Sequence, residues 1–243
     1  MSFTDFYSLY CNIFQKNKLE RFCNEEIAHK FYQFTQLLIE ENSHTNLTAI
    51  REIPDIISKH YADCLLAEAH FASNTKVLDM GCGGGFPTIP LAIVRPDLTI
   101  TAIDSTQKKI DFVKKASTAL KLINVTPLCA RAESKELCKL YEDFDIATSR
   151  AMARLSILSE LTLPFVRVGG SLIALKGAKA QEEIEEAKNA VYILSGSIDI
   201  SDVEYKLITS AEPEQRHILL IKKAHKTPPQ YPRNYSAIAK KPL

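Results

Sequence analysis

Apolar positions change period near residue 75, and that change divides the chain. Upstream, Ile27, Phe31, Phe34 and Leu38 recur at spacings of four, three and four. They form one helical stripe with Glu25, Glu26, Glu40 and Glu41 outside it. Asn42-Ser43-His44-Thr45-Asn46 breaks the stripe. Pro54 opens another helix, where its missing N–H costs nothing, and there Ile56, Ile57, His60, Tyr61, Cys64 and Leu65 share a face. Downstream, strands are expected at 75–80, 98–104, 124–131, 144–149, 171–176, 203–208 and 216–222. Helices are expected at 88–95, after a Ser105 or Thr106 cap with Ile110, Val113, Ala116 and Leu120 inward, at 155–165 and at 179–194. Such alternation predicts an α/β fold built on a mostly parallel sheet with crossover helices. The predicted organisation is a helical extension at 1–73, a core at 74–223 and a tail at 224–243. Four of the eleven prolines fall in that tail without apolar periodicity, so it is expected to be extended and surface-bound.

The strongest local signal interrupts the first alternation. Val77-Leu78-Asp79-Met80 runs into Gly81-Cys82-Gly83-Gly84-Gly85-Phe86-Pro87, four of the chain's eight glycines within five positions. Glycine lets a ligand approach the backbone closely. The bland reading is a tight strand-to-helix turn; the functional one is the first loop of a nucleotide-type fold with a cofactor lying on it. Asp104, ending the second strand, favours the latter, since a carboxylate about 20 residues on is placed to accept from a ribose. Ligands of open α/β sheets gather beyond the carboxyl ends of the strands. That rule brings Gly81–Phe86, Asp104, Ala132-Glu133 and Ser149-Arg150 to one rim. The dinucleotide pattern G-x-G-x-x-G fails, because its third glycine falls on Phe86.

The run instead reads V-L-D-x-G-x-G-x-G, which resembles motif I of the class I methyltransferases. That resemblance implies a Rossmann-like class I S-adenosylmethionine-dependent methyltransferase fold, with S-adenosyl-L-methionine as cofactor and S-adenosyl-L-homocysteine as product. Gly81, Gly83, Gly85, Phe86 and Asp104 are its candidate cofactor positions on this count.

Net charge is only +1, so bulk charge says nothing about nucleic acid; its distribution does. Residues 1–73 carry six Lys/Arg and ten Asp/Glu, whereas residues 216–243 carry seven Lys/Arg and no acid. A basic end on a slightly acidic body is the pattern of a local polyanion contact; a solvated tail is the alternative. The six cysteines show no C-x-x-C pair or metal-ligand spacing and read as reduced thiols, so no metal is expected. No signal peptide or bilayer-length apolar run is expected either. The predicted protein is cytoplasmic and monomeric.

A longer resemblance covers most of the chain. Asn46-Leu47-Thr48-Ala49-Ile50, Lys59-His60-Tyr61-Ala62-Asp63, Leu78–Pro87 continuing into Ile89-Pro90-Leu91-Ala92-Ile93, Asp104-Ser105 with Lys108-Lys109, Arg131-Ala132-Glu133, Ser149-Arg150-Ala151, Gly169-Gly170 with Lys176-Gly177, Tyr231-Pro232-Arg233 and Pro242-Leu243 all occur. Together they resemble the ribosomal RNA small subunit methyltransferase G (GidB) family. Thr88 stands where that family usually has glycine, and Ser236-Ala237 where its tail usually carries one; neither removes a chemical group, and both are read as drift. The resemblance implies methyl transfer to N7 of a guanine in the decoding-region loop of 16S rRNA. It also implies cofactor contacts at Gly81, Phe86, Ala132, Glu133 and Arg150, and 16S rRNA or the small subunit as partner.

Residue chemistry agrees with that implication. N7 has an in-plane lone pair and no proton to lose, so no general base is nominated and catalysis is by positioning. The N-P-P-[YF] motif of exocyclic-amine enzymes is absent after the fourth strand, as is a Pro-Cys pair. The acceptor base must be unstacked to be reached. Arg154, Lys176, Lys222, Lys223 and Arg233 are the phosphate-contact candidates, with ordinary surface charge as their alternative. His60 and Asp63 are read as pinning the N-terminal helices to the cofactor rim, a substrate-side role being the other option. Two competing functions stay open: a methyltransferase with another acceptor, and a non-catalytic ribosome-assembly factor.

Overall fold

The computed structural model describes residues 1–195, 197 and 199–243. Its strands are β1 (Lys76–Met80), β2 (Thr99–Asp104), β3 (Val125–Cys129), β4 (Phe144–Arg150), β5 (Val166–Lys176), β6 (Ile200–Leu207) and β7 (Glu214–Lys222). They form one seven-stranded sheet in the order β3-β2-β1-β4-β5-β7-β6. β1 to β5 run parallel, and β7 enters antiparallel to both β5 and β6. The order reverses between β1 and β4, which makes their carboxyl ends the topological switch point where such sheets bind ligands. Pro127 is tolerated inside β3 because β3 is an edge strand.

Strand β5 begins earlier than the sequence suggests. A strand was expected only from residue 171, but β5 begins at Val166 and takes in Gly169-Gly170. The β4–β5 register shifts between Phe144 and Ile146, so the pair accommodates an irregularity rather than a turn.

Helices α1 (Phe3–Lys16) and α2 (Glu25–Thr45) start at side-chain caps. Ser2 accepts from the Asp5 N–H, and Asn24 accepts from the Ile27 N–H at 3.0 Å. Helix α3 spans residues 53–65, with Pro54 in its first turn and a π-helical stretch at Ile56–Ala62. Wide turns of this kind gather at functional sites. The core helices are α4 (Thr88–Val94), α5 (Gln107–Ala119), α6 (Leu155–Thr162) and α7 (Ala180–Ser195).

Two apolar layers sandwich the sheet. On one face, Phe31, Phe34, Leu38 and Tyr61 from the N-terminal helices share a continuous core with Phe86, Ile89 and Phe112. Phe34 lies 5.6 Å from Phe86 and 6.1 Å from Phe112, ring to ring. On the other face, α6 and α7 pack through Leu158, Leu161, Ile184 and Val191. The tail belongs to this second layer, which corrects the extended, surface-bound expectation. Residues Tyr235–Lys240 form a short helix α8 capped by Asn234, and Ile238 is fully buried. One buried residue in a six-residue helix is too brief a pattern to read as periodicity. The Ser236-Ala237 departure thus has a local consequence: the Asn234 side chain accepts from the Ala237 N–H and the Ser236 hydroxyl.

Candidate functional site at the carboxyl ends of the parallel strands

The glycine loop leaves β1 at Met80. A Cβ on Gly85, whose φ is +87°, would lie 2.7 Å from Ile89, so this glycine lets the loop close onto α4. Gly83 is different. Its φ is +55°, and an added Cβ would meet no heavy atom nearer than 4.0 Å, so packing within the protein does not demand glycine there. The Gly83 N–H donates to Asp104 at 3.1 Å, and the other Asp104 oxygen accepts from the Thr106 N–H at 2.9 Å. Helix α5 begins after Thr106 with no side-chain cap, although a Ser105 or Thr106 hydroxyl was expected there; Asp104 holds the turn that precedes it, and the Lys109 ammonium lies 3.7 Å from Asp104.

These residues border a cleft of about 350 Å³, lined by Gly81, Asp104, Ala132, Glu133, Met152 and Tyr235 among others. The volume is in the range of small-molecule sites. A second cleft of about 480 Å³ adjoins it, lined by Asp63, Arg150, Lys176, Glu183 and Arg216. Both are bounded by Ala151-Met152-Ala153.

Beneath the loop, Asp79 is fully buried. Its Oδ2 accepts from the Thr88 hydroxyl at 2.6 Å and the Thr88 N–H at 3.2 Å. Thr88 is therefore more than drift, since its hydroxyl satisfies a buried carboxylate. Burial still pushes the Asp79 carboxyl up to about 7, against the two Thr88 hydrogen bonds. Asp79 Oδ1, Ser149 Oγ and Arg150 Nε are buried without a partner, and all three sit at the carboxyl ends of the adjacent strands β1 and β4. Unsatisfied buried polar groups are costly in a fold that binds nothing. None of the three lines the first cleft, and Arg150 borders the second; it is the acceptor carboxylate of Asp104 and the Gly81 backbone in the first cleft that fit a polar, phosphate-free cofactor such as S-adenosylmethionine.

A dense network joins this rim to the N-terminal layer. Arg150 donates to the Lys59 carbonyl at 2.9 Å, to Asp63 at 3.3 Å and to His60 Nδ1 at 2.9 Å. Since a guanidinium can only donate, His60 Nδ1 accepts, and its Nε2–H donates to Thr48 at 2.8 Å. The imidazole stacks on Phe86 at 4.2 Å. Burial, helped by the Arg150 charge, lowers the His60 pKa to about 3. Burial pushes the Asp63 carboxyl up while Arg150 and Arg216, the latter donating at 3.1 Å, pull it back toward ionisation.

The candidate residues thus separate. Gly81, Asp104, Ala132 and Glu133 line the first cleft, and Gly83 and Gly85 shape its loop. Phe86 lies in the core beneath, with the Arg150 guanidinium 5.2 Å above its ring. Arg150 itself borders the second cleft.

Most of the phosphate-contact candidates are placed otherwise than expected. Lys223 is fully buried, donating to the Leu163 and Val166 carbonyls at 2.8 and 2.7 Å, and cannot meet a phosphate. Lys222 pairs with Ser171, five residues along β5 from Lys176, which puts it ~16 Å from the rim at 3.3 Å per residue. The antiparallel entry of β7, invisible in its sequence, reverses which end of that strand faces the site. Arg233 is tied to the fully buried Glu160. Lys176, 8% exposed, donates to the Ala153 carbonyl and pairs with Glu183 inside the second cleft. Arg154 stays half-exposed at the rim, paired with Glu186 at 2.7 Å. Sequence reasoning missed Met152, Tyr235 and Arg216. For Arg216 the missing information was the direction of β7; for Tyr235 there was no signal.

Comparisons with known proteins bear on this site. The family model described as rRNA small subunit methyltransferase G matches residues 27–219. Relatives named ribosomal RNA small subunit methyltransferase G include one from Clostridium beijerinckii, 42% identical over 225 residues and spanning 90% of this chain and 92% of its own. Another, from Clostridium botulinum, is 40% identical over 243 residues, covering 98% of this chain and 99% of the relative. Among solved structures, an O-methyltransferase from Bacillus cereus in complex with SAH superposes with a TM-score of 0.55 at 17% identity, over 78% of this chain and 91% of that one. A likeness that distant speaks to the fold alone.

Proposed function

The chain belongs to the rRNA small subunit methyltransferase G family, and from that premise we propose that it methylates N7 of a guanine in the decoding-region loop of 16S rRNA. The observation that carries this reading is the pair of clefts meeting at Ala151-Met152-Ala153, one suited to a cofactor and one to a base. The first would hold S-adenosylmethionine, with Asp104 accepting from the ribose and Ala132-Glu133 bordering the heterocycle. When bound, that cofactor supplies a methyl group made electrophilic by its sulfonium.

The remaining work falls to positioning. His60 is neutral at working pH and both its ring nitrogens are engaged, and Asp79 faces Thr88 below the loop. Neither is placed to take a proton, which suits an acceptor nitrogen that has none to lose. A guanine read with N7 left free must be held by O6 or its Watson–Crick edge. The Lys176 ammonium and Glu183 carboxylate in the second cleft offer a donor and an acceptor for those edges. Arg154 remains the rim candidate for phosphate. We take the protein to act in the cytoplasm as a monomer; no helix among the described residues is long and apolar enough to cross a membrane.

The test is transfer of labelled methyl from S-adenosylmethionine to 30S subunits or 16S rRNA from cells lacking this gene, followed by nuclease digestion. Label recovered as N7-methylguanosine is the expected result. Label on another nucleoside would replace the acceptor, and cofactor binding without transfer to any RNA would favour an assembly role.

A further inference from the structure

Residues 223–243 do not trail from the fold; they are fastened across α6. Thr227 donates its hydroxyl to the Leu194 carbonyl at 2.7 Å. Arg233 grips Glu160 three times: its Nε and Nη2 reach the two carboxylate oxygens at 2.8 and 2.6 Å, and its backbone N–H reaches Oε1 at 2.9 Å. Glu160 is fully buried on α6, and so is Ile238 on α8. The carboxylate is buried and the guanidinium 27% exposed; an ion pair of this kind adds little stability over an apolar pair of the same volume, and what it supplies is registration. Here the registered element is Tyr235, held between the Arg233 grip two residues before it and the Ile238 anchor three residues after.

Tyr235 lines the first cleft. Leu161, Ala130 and Ala132, which belong to the same apolar layer as Ile238, line that cleft together with Asp104, Ser105, Thr106 and Lys109. An aromatic residue left 44% exposed in a cleft with an apolar lining, and fixed there by an ion pair to a buried carboxylate, has a purpose a solvated tail does not. Planar heterocycles stack on such rings irrespective of their hydrogen-bonding edges.

We propose that the C-terminal strap is a cofactor-binding element, in which Tyr235 packs against the adenine of S-adenosylmethionine and Arg233–Glu160 sets its position. The inference rests on the reading of the first cleft as the cofactor site. It makes the tail part of the binding site, and it gives the basic end of the chain a role other than phosphate contact.

The experiment is calorimetric titration of the full chain with S-adenosylhomocysteine and, separately, with adenosine, for the wild type, Tyr235→Phe and Tyr235→Ala, with thermal melting alongside. Loss of a stacking ring weakens binding roughly 5- to 150-fold. That loss is expected for Tyr235→Ala with both ligands, with Tyr235→Phe near wild type and melting unchanged. Wild-type affinity in Tyr235→Ala would overturn the strap's role while leaving the cofactor site standing. A loss confined to S-adenosylhomocysteine would overturn the contact with the base. No binding by the wild type would overturn the cofactor reading and the strap with it.

Discussion

His60 gives the sharpest quantitative test of the network that joins the N-terminal helices to the rim. In the folded protein its pKa is lowered to about 3, first by burial and then by the Arg150 charge; unfolded, it returns to about 6.5. Between those values the unfolded chain binds one proton more than the native one, so stability rises with pH across that window and falls as pH drops below 6.5. From 6.5 down to pH 4.5 is two pKa units, and at about 1.36 kcal/mol each the cost is ~2.7 kcal/mol. His60→Gln removes the titration. Its absolute stability will differ, because the stack on Phe86 is lost, so the informative quantity is the wild-type-minus-variant difference measured by urea denaturation at each pH. That difference cancels the other titrating groups the two proteins share. It should shift by ~2.7 kcal/mol in the variant's favour between pH 7.5 and pH 4.5. A difference constant to within ~0.5 kcal/mol across that range, well below the linkage term, would show that the native histidine protonates normally, and the fixed tautomer would be refuted.

The buried Asp79 should act with the opposite sign. Its native pKa, raised to about 7, means that the native state holds a proton the unfolded state has lost above pH ~4; stability therefore falls as pH rises from 4 to 7. Since His60 contributes the opposite slope over much of that range, the test is again the wild-type-minus-variant difference in urea-derived stability, which for Asp79→Asn should fall as pH rises from 4 to 7. Gly83→Ala should cost the fold ~1–2 kcal/mol, because a φ of +55° strains an L side chain even where its Cβ meets nothing, and in addition weaken S-adenosylhomocysteine binding in a titration; unchanged affinity would remove Gly83 from the site. Arg233→Met leaves the buried Glu160 carboxylate with only the backbone N–H of residue 233, a loss of up to ~3 kcal/mol in denaturation that the double change Glu160→Met with Arg233→Met should largely restore.

The sequence by itself determined the repeating architecture and the first cleft. Period-two and period-3.6 patterns are local properties of consecutive residues, so all seven strands and the core helices were legible to within a few positions. Clustered glycines followed by an aspartate at a strand end carry their chemistry in their spacing, and Gly81, Asp104, Ala132 and Glu133 do border one cavity. Charge was the poorer guide. A lysine reads the same in sequence whether it faces solvent or, like Lys223, bonds two carbonyls in the interior. What only the tertiary structure decided was direction and closure. The antiparallel entry of β7 carried Arg216 to the rim and Lys222 away from it, and the Arg233–Glu160 pair, 73 residues apart, folded the tail over α6 to bring Tyr235 to the cleft. Such long-range pairings depend on which surfaces meet once the chain has collapsed, and no window of neighbouring residues records them.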